Sequence, residues 1–132
     1  MVGQAVRLVL LCPRLQHLRL LGPIAAAAKA RGWFVMFFCP DGGPKDDAAD
    51  HLKIVEREGG AFAIEVQGAT ETVSMLAYAK AEAVIAVGLR MPPWMRQHVM
   101  PPTRARGVRW VSVGYLGEEL LHVLEDGPAL LS

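Results

Sequence analysis

The chain has 132 residues, 52% of them hydrophobic and 20% charged, which points to one compact domain with a core of its own and argues against a second full domain or a disordered chain. Its 14 Lys plus Arg against 13 Asp plus Glu leave a formal charge of +1, so no overall field favours nucleic acid or an anionic membrane and any such role needs a local patch. Two cysteines, Cys12 and Cys39, are too few for a secreted disulfide framework and suit a reduced, cytoplasmic setting. The apolar run Leu8 to Leu11, flanked by Arg7 and Arg14, is too short for a signal peptide, and no stretch reaches the roughly 18 apolar residues of a transmembrane segment.

Val6 to Leu11 is a nearly continuous apolar run closed by Cys12-Pro13, the pattern of a strand buried on both faces of a parallel sheet. Leu18, Leu21, Ala25 and Ala28 then recur at helical spacing up to Lys29-Ala30-Arg31-Gly32, a basic last turn followed by a glycine stop. Pro23 is expected either to start the regular part of this helix or to kink it. Trp33 to Cys39 is a second buried strand, closed like the first by Cys-Pro. A helix from about Lys45 to Glu58 comes next, with Ala48, Leu52 and Val55 on one face, an acidic first turn at Asp46-Asp47, and Gly59-Gly60 as its stop.

Ala61 to Val66 is the third strand, after which Thr70 is expected to cap a helix carrying Val73, Leu76 and Ala77. Ala83 to Gly88 and Arg109 to Val113 are the fourth and fifth strands. Between them, Pro92 to Arg106 reads as a helix broken at Pro101-Pro102, and Glu118 to Asp126 as a last helix closed by Gly127. Five apolar strands alternating with helices give a three-layer α/β domain over residues 1–132, a five-stranded, parallel, doubly wound Rossmann-like sheet. The expected strand order is 3-2-1-4-5, with a flavodoxin-like 2-1-3-4-5 as the alternative.

Ligands of open α/β sheets lie beyond the carboxyl ends of the strands, where the strand order reverses. In the 3-2-1-4-5 order this crevice brings the loop Pro13-Arg14-Leu15-Gln16-His17 against Gly88-Leu89-Arg90-Met91-Pro92, so that Arg14 and Arg90 face one cleft. Two guanidinium groups there suit a phosphate or carboxylate, whereas the alternative order supplies no second basic group. His17, at the start of the first helix, is the candidate base or ligand donor. Asp41 and Gly42 after strand two, Gly88 after strand four and Tyr115 after strand five complete the candidate ligand-facing set. His51, His98 and His122 fall within helical patterns and read as solvated or packed.

The first loop contains no glycine, so the G-x-G-x-x-G fingerprint of dinucleotide binding is missing, and so is a phosphate-binding G-x-x-x-x-G-K-[ST] loop. No cofactor is expected. No G-x-S-x-G elbow is present either, with Ser74 in a helix and Ser112 in a strand. In the 3-2-1 order Cys12 and Cys39 end adjacent strands, within reach of a disulfide or half of a metal site, although no C-x-x-C or His/Cys spacing accompanies them and their simpler role is as small buried residues. No metal is expected. From Ala83 to Gly117 there is no acidic residue, while Arg90, Arg96, Arg104, Arg106 and Arg109 are present beside Trp94 and Trp110. This stretch reads first as a solvated basic face with its aromatics in the core, and second as a surface for a phosphate backbone, an anionic lipid or an acidic partner.

The succession of strand, His17-containing loop, Ala-rich helix, Lys29-Ala30-Arg31-Gly32 and strand resembles the start of the N-terminal domain of GT-B-type glycosyltransferases. The likeness continues through Ala83 to Gly88 and Gly107 to Gly114. It implies an acceptor-binding domain in which Arg14, His17 and Arg90 surround a small anionic or sugar ligand, with the nucleotide sugar bound by a second domain or partner subunit, so that the chain alone would transfer no sugar. The family's Gly-His, with Pro three residues later, is Gln16-His17 with Leu20 here. The alternative is a non-enzymatic Rossmann-like module for ligand sensing or protein interaction, binding a nucleotide or other anion in the same crevice, alone or as a homodimer. Fold alone does not separate the two.

Overall fold

The computed structural model describes residues 5–41, 48–88 and 91–114. Its elements in chain order are β1 (Arg7–Leu11), a 3-10 turn (Leu15–His17), α1 (Leu18–Ala30), β2 (Phe34–Pro40), α2 (Ala48–Gly59), β3 (Phe62–Val66), α3 (Gly68–Tyr78), β4 (Ala83–Val87), a π turn (Met95–Val99), α4 (Met100–Ala105) and β5 (Arg109–Val113). The five strands form one parallel sheet in the order β3-β2-β1-β4-β5, the order expected from the sequence. The flavodoxin-like alternative is excluded, because β1 pairs with both β2 and β4. The expected last helix, Glu118 to Asp126, lies outside the described residues.

Strands buried on both faces need two apolar layers, and the side-chain period of two supplies them. One set, including Leu8, Leu10, Cys12, Val35, Phe37, Cys39 and Ala63, packs with Leu21, Ala25 and Ala28 of α1 and Val55 of α2. The other, including Val9, Leu11, Phe38, Val66, Val84, Ala86 and Trp110, packs with Leu76 of α3 and Met95, Val99 and Met100 of the π turn and α4. The two crossovers from β1 to β3 thus share one face and the later ones the other, the doubly wound arrangement.

Two local expectations are corrected, and a third is narrowed because Pro23 does not start its helix. Helix α3 begins at Gly68, with Gln67 as its extended N-cap, so Thr70 lies inside the first turn and is not the cap. Helix α1 runs unbroken from Leu18 with Pro23 inside it, where the proline has no N–H to give to the carbonyl four residues back. The prolines at 101 and 102 do not break the helix between β4 and β5. They occupy the first turn of α4, where missing N–H groups cost least, and the backbone reaches them through the wider π turn.

Candidate functional site

The strand order reverses between β1 and β4, so the crevice at the carboxyl edge is bounded by the loops that leave Leu11 and Val87. Beyond β1, the Cys12 amide donates to the Phe38 carbonyl at 2.9 Å, continuing the ladder one residue past the strand. The chain then turns through Pro13 to an extended Arg14, whose carbonyl accepts from the His17 amide at 3.1 Å and from the Cys12 thiol at 3.2 Å. Two donors on one carbonyl hold the backbone, while the Arg14 side chain is exposed. His17 is only 2% exposed, so its ring is enclosed beneath the turn and does not line an open cleft.

On the other side of the reversal, Gly88 has φ of 53°, a left-handed conformation that suits a residue without a Cβ. Its carbonyl accepts the Ser112 hydroxyl at 3.0 Å and its amide donates to Val113, which ties the exit of β4 to the end of β5. Arg90, Gly42 and Tyr115, expected around the same crevice, lie outside the described residues. Asp41, next after β2, is in a left-handed conformation with φ of 56°, its amide bonded to the Val66 carbonyl at 2.8 Å, and its side chain is exposed. The structure therefore sets Arg14, Asp41 and Gly88 along one edge of the sheet and withdraws His17 from it.

Beneath this edge, on the α1/α2 face, His51 joins the two cysteines that the expected strand order places at the ends of β1 and β2. Cys12 and Cys39 are fully buried and unpaired. Burial pushes both thiols up from 9.0 to about 12, and nearby Cys12, Glu56 and Glu65 add to the shift of Cys39. Neither thiol is a ready nucleophile near neutral pH. His51, in the first turn of α2, is fully buried with its Nε2 3.1 Å from the Cys12 carbonyl, which can only accept; Nε2 therefore carries the proton, and Nδ1 is left as a buried acceptor without a hydrogen-bond partner. Extending the register from Leu11 opposite Phe38 puts Pro40 where a strand residue would donate to that same carbonyl, and proline has no N–H. His51 supplies the donor that Pro40 lacks. A signal for its burial is present in the sequence: position 51 adjoins Leu52 and lies one turn before Val55, on the core side of α2.

Two of the hollows among the described residues open on the surface away from this cluster. One of about 510 Å³ lies between α3 and the π turn, lined by Ala69, Thr70, Val73, Ser74 and His98. His98, Thr70 and Ser74 are exposed there, so of the helical histidines expected to be solvated or packed, His98 is solvated and His51 is packed. The other, of about 250 Å³, is lined by Arg104, Gly107, Val108 and Arg109, at the amino end of β5 and hence opposite the crevice. Trp110 beside it is buried, its Nε1 donating to the Thr103 hydroxyl at 2.9 Å. Among the described residues no group of three or more His, Cys, Asp or Glu could hold a metal ion, and no helix is long and apolar enough to cross a membrane.

No family model matches the sequence, and no curated protein matches it. Among solved structures, the crystal structure of a universal stress protein in complex with cAMP aligns over 86% of this chain and 99% of its own, with a TM-score of 0.47 and 17% identity. A likeness of that degree carries no argument about function. What remains of the glycosyltransferase resemblance is the Rossmann-like architecture, which the strand pairing shows directly.

Proposed function

We propose that the chain is a non-enzymatic Rossmann-like module that takes a nucleotide or another small anionic ligand at the carboxyl edge, between the loops after β1 and β4. The observation that carries this reading is Arg14: its backbone is fixed by two hydrogen bonds to its carbonyl at the point where the strand order reverses, and its guanidinium is left exposed. A permanently charged fork on a held backbone meets a phosphate at lower entropic cost than a free loop arginine. Arg90, by its sequence position after β4, is the proposed second cation. The left-handed turns at Asp41 and Gly88 bring main chain to the same edge.

An acceptor-side role in a glycosyltransferase is the lesser reading, because it leans on His17 as the residue meeting the acceptor. With the ring enclosed, His17 serves this proposal by closing the 3-10 turn on the Arg14 carbonyl, not by contacting ligand. The neighbour solved with cAMP makes cyclic nucleotides a reasonable member of the panel to be screened and nothing more.

The test is a thermal-shift screen of nucleotides and sugar phosphates, with calorimetry on any hit. A ligand at 100 times its Kd should stabilise the fold by about 2.7 kcal/mol. Arg14→Ala should weaken the hit at least about tenfold, since charged hydrogen bonds contribute roughly 1.5 to 3 kcal/mol, while leaving the unliganded melting temperature within about 2 °C, as is usual for an exposed side chain. Equal affinity in the Arg14→Ala, Arg90→Ala double variant would overturn the site.

A further inference from the structure

We infer that Cys12 and Cys39 form a reversible dithiol–disulfide pair whose oxidation resets the Arg14 loop. The regulatory half of this inference rests on the crevice reading above, whereas the cross-link stands or falls independently of it.

The geometry is that of two directly opposed residues. Leu11 pairs with Phe38 in register, and the Cys12 amide bonds to the Phe38 carbonyl, so the next opposed pair along β1 and β2 is Cys12 with Cys39. Both side chains enter the same apolar cluster under α1 and α2. Opposed residues on adjacent strands lie about 4.8 Å apart, inside the roughly 4.4 to 6.8 Å Cα span that a disulfide requires.

One hydrogen bond links the cross-link to the loop. In the reduced protein the Cys12 thiol donates to the Arg14 carbonyl. A disulfide sulfur has no hydrogen to give, so oxidation removes one of the two donors that fix Arg14 and turns the Cys12 side chain toward β2. With hydrogen peroxide as oxidant, one sulfur attacks the peroxide as thiolate, giving a sulfenic acid and hydroxide. The second sulfur then displaces hydroxide from it, forming the S–S bond. Two thiol hydrogens and the peroxide leave as two waters, and the sulfur pair gives up two electrons. Burial of both thiols makes the step slow at neutral pH and faster in alkali. A small-molecule dithiol reverses it.

The experiment treats the whole chain with hydrogen peroxide under native conditions, quenches it, and measures intact mass and free thiols after denaturation. The expected result is a mass loss of about 2 Da, disappearance of both thiols, a Cys12–Cys39 linked peptide in a non-reducing digest, and recovery of both thiols with dithiothreitol. Cys12→Ala and Cys39→Ala should instead gain oxygen at the remaining sulfur without the loss, and Cys12→Ser provides a second variant should the alanine form unfold. Oxygen adducts without a link in the wild-type chain, a link only between two chains, or thiols that stay intact while the fold persists would each overturn the pair. Calorimetry then compares the reduced and oxidised chain with whichever anion the screen identifies. The oxidised form should bind about three- to tenfold more weakly, as expected for a binding loop that loses one hydrogen bond. Equal affinity in the two states overturns the coupling and leaves the cross-link standing. Absence of any binding in the reduced chain counts against the crevice reading, not against the cross-link.

Discussion

Under α3, the π turn and α4, the buried hydroxyls bond locally. Thr72 donates to the Gly68 carbonyl at 2.8 Å, and Thr103 donates to the Val99 carbonyl at 2.8 Å while accepting the indole of Trp110 at 2.9 Å. The rest of that layer is apolar and fitted by methionine, with Met91, Met95 and Met100 filling around Trp110. Under α1 and α2 the buried groups carry more chemistry and fit less completely: two thiols held far from ionisation, and a histidine with one ring nitrogen bonded across the fold and the other left over. A buried polar atom without a partner is expensive, so the His51 Nδ1 at this end of the sheet sets the layer apart from the stability-serving one, in which Thr72 and Thr103 are both bonded.

The largest effect should come from the stability-serving side. Trp110→Ala removes the largest fully buried side chain together with the indole bond to Thr103, and should cost about 3 to 5 kcal/mol in urea denaturation. A loss below about 1 kcal/mol would mean that this layer is not the anchor. Next comes alkaline pH, which acts through the other face. The folded-state thiol pKa values lie above the ordinary value of 9.0, so the unfolded chain gives up its protons first. The thiols thus leave stability unchanged below about pH 9 and cost up to about 1.4 kcal/mol per thiol for each pH unit above it, until the folded values near 12 are reached. By pH 10 the pair should have removed roughly 2 to 3 kcal/mol, and a Cys12→Ala, Cys39→Ala chain should lose this part of the alkaline slope. An unaltered slope in that variant would show that the thiols do not titrate this way.

Much of this architecture is legible in the residues. Mainly apolar runs with Cys-Pro and glycine boundaries mark all five strands nearly to the residue, and β5 begins and ends with the run Arg109 to Val113. Handedness and short connections narrow the strand order to 3-2-1-4-5 or 2-1-3-4-5, and only the pairing of β1 with β4 decides between them. Illegible are the places where a distant partner overrides the local signal. Thr70 has a capping side chain, yet the chain leaves β3 already turning at Gly68, so the helix starts earlier. Pro101-Pro102 break helices in isolation, yet here a π turn delivers them to a helix start. His17 stands in a loop by sequence, and its burial depends on the 3-10 turn packing against α2. His51 is the instructive case, because its partner, the Cys12 carbonyl, is 39 residues away, and its reason for being there is a proline on a third element.

Two smaller perturbations sharpen the contrast from within the α1/α2 face. A Cβ added at Gly59 would sit 2.6 Å from the ring of Phe37, which is fully buried and cannot swing away. Gly59→Ala should therefore cost about 1 to 3 kcal/mol despite alanine's better helix propensity. A neutral or stabilising result would show slack in this layer. His51→Leu is the finest probe. Removing the imidazole leaves the Cys12 carbonyl buried without the donor that Pro40 cannot supply, and should cost about 1 to 2 kcal/mol. In a Pro40→Ala background the alanine amide can close the ladder bond, so the same His51→Leu change should cost at least about 0.5 kcal/mol less, a coupling within the range found for residues that share a partner. Strict additivity of the two changes would mean that His51 is not standing in for a missing strand donor. The burial of its ring would then need another explanation, with the unpaired Nδ1 as its starting point.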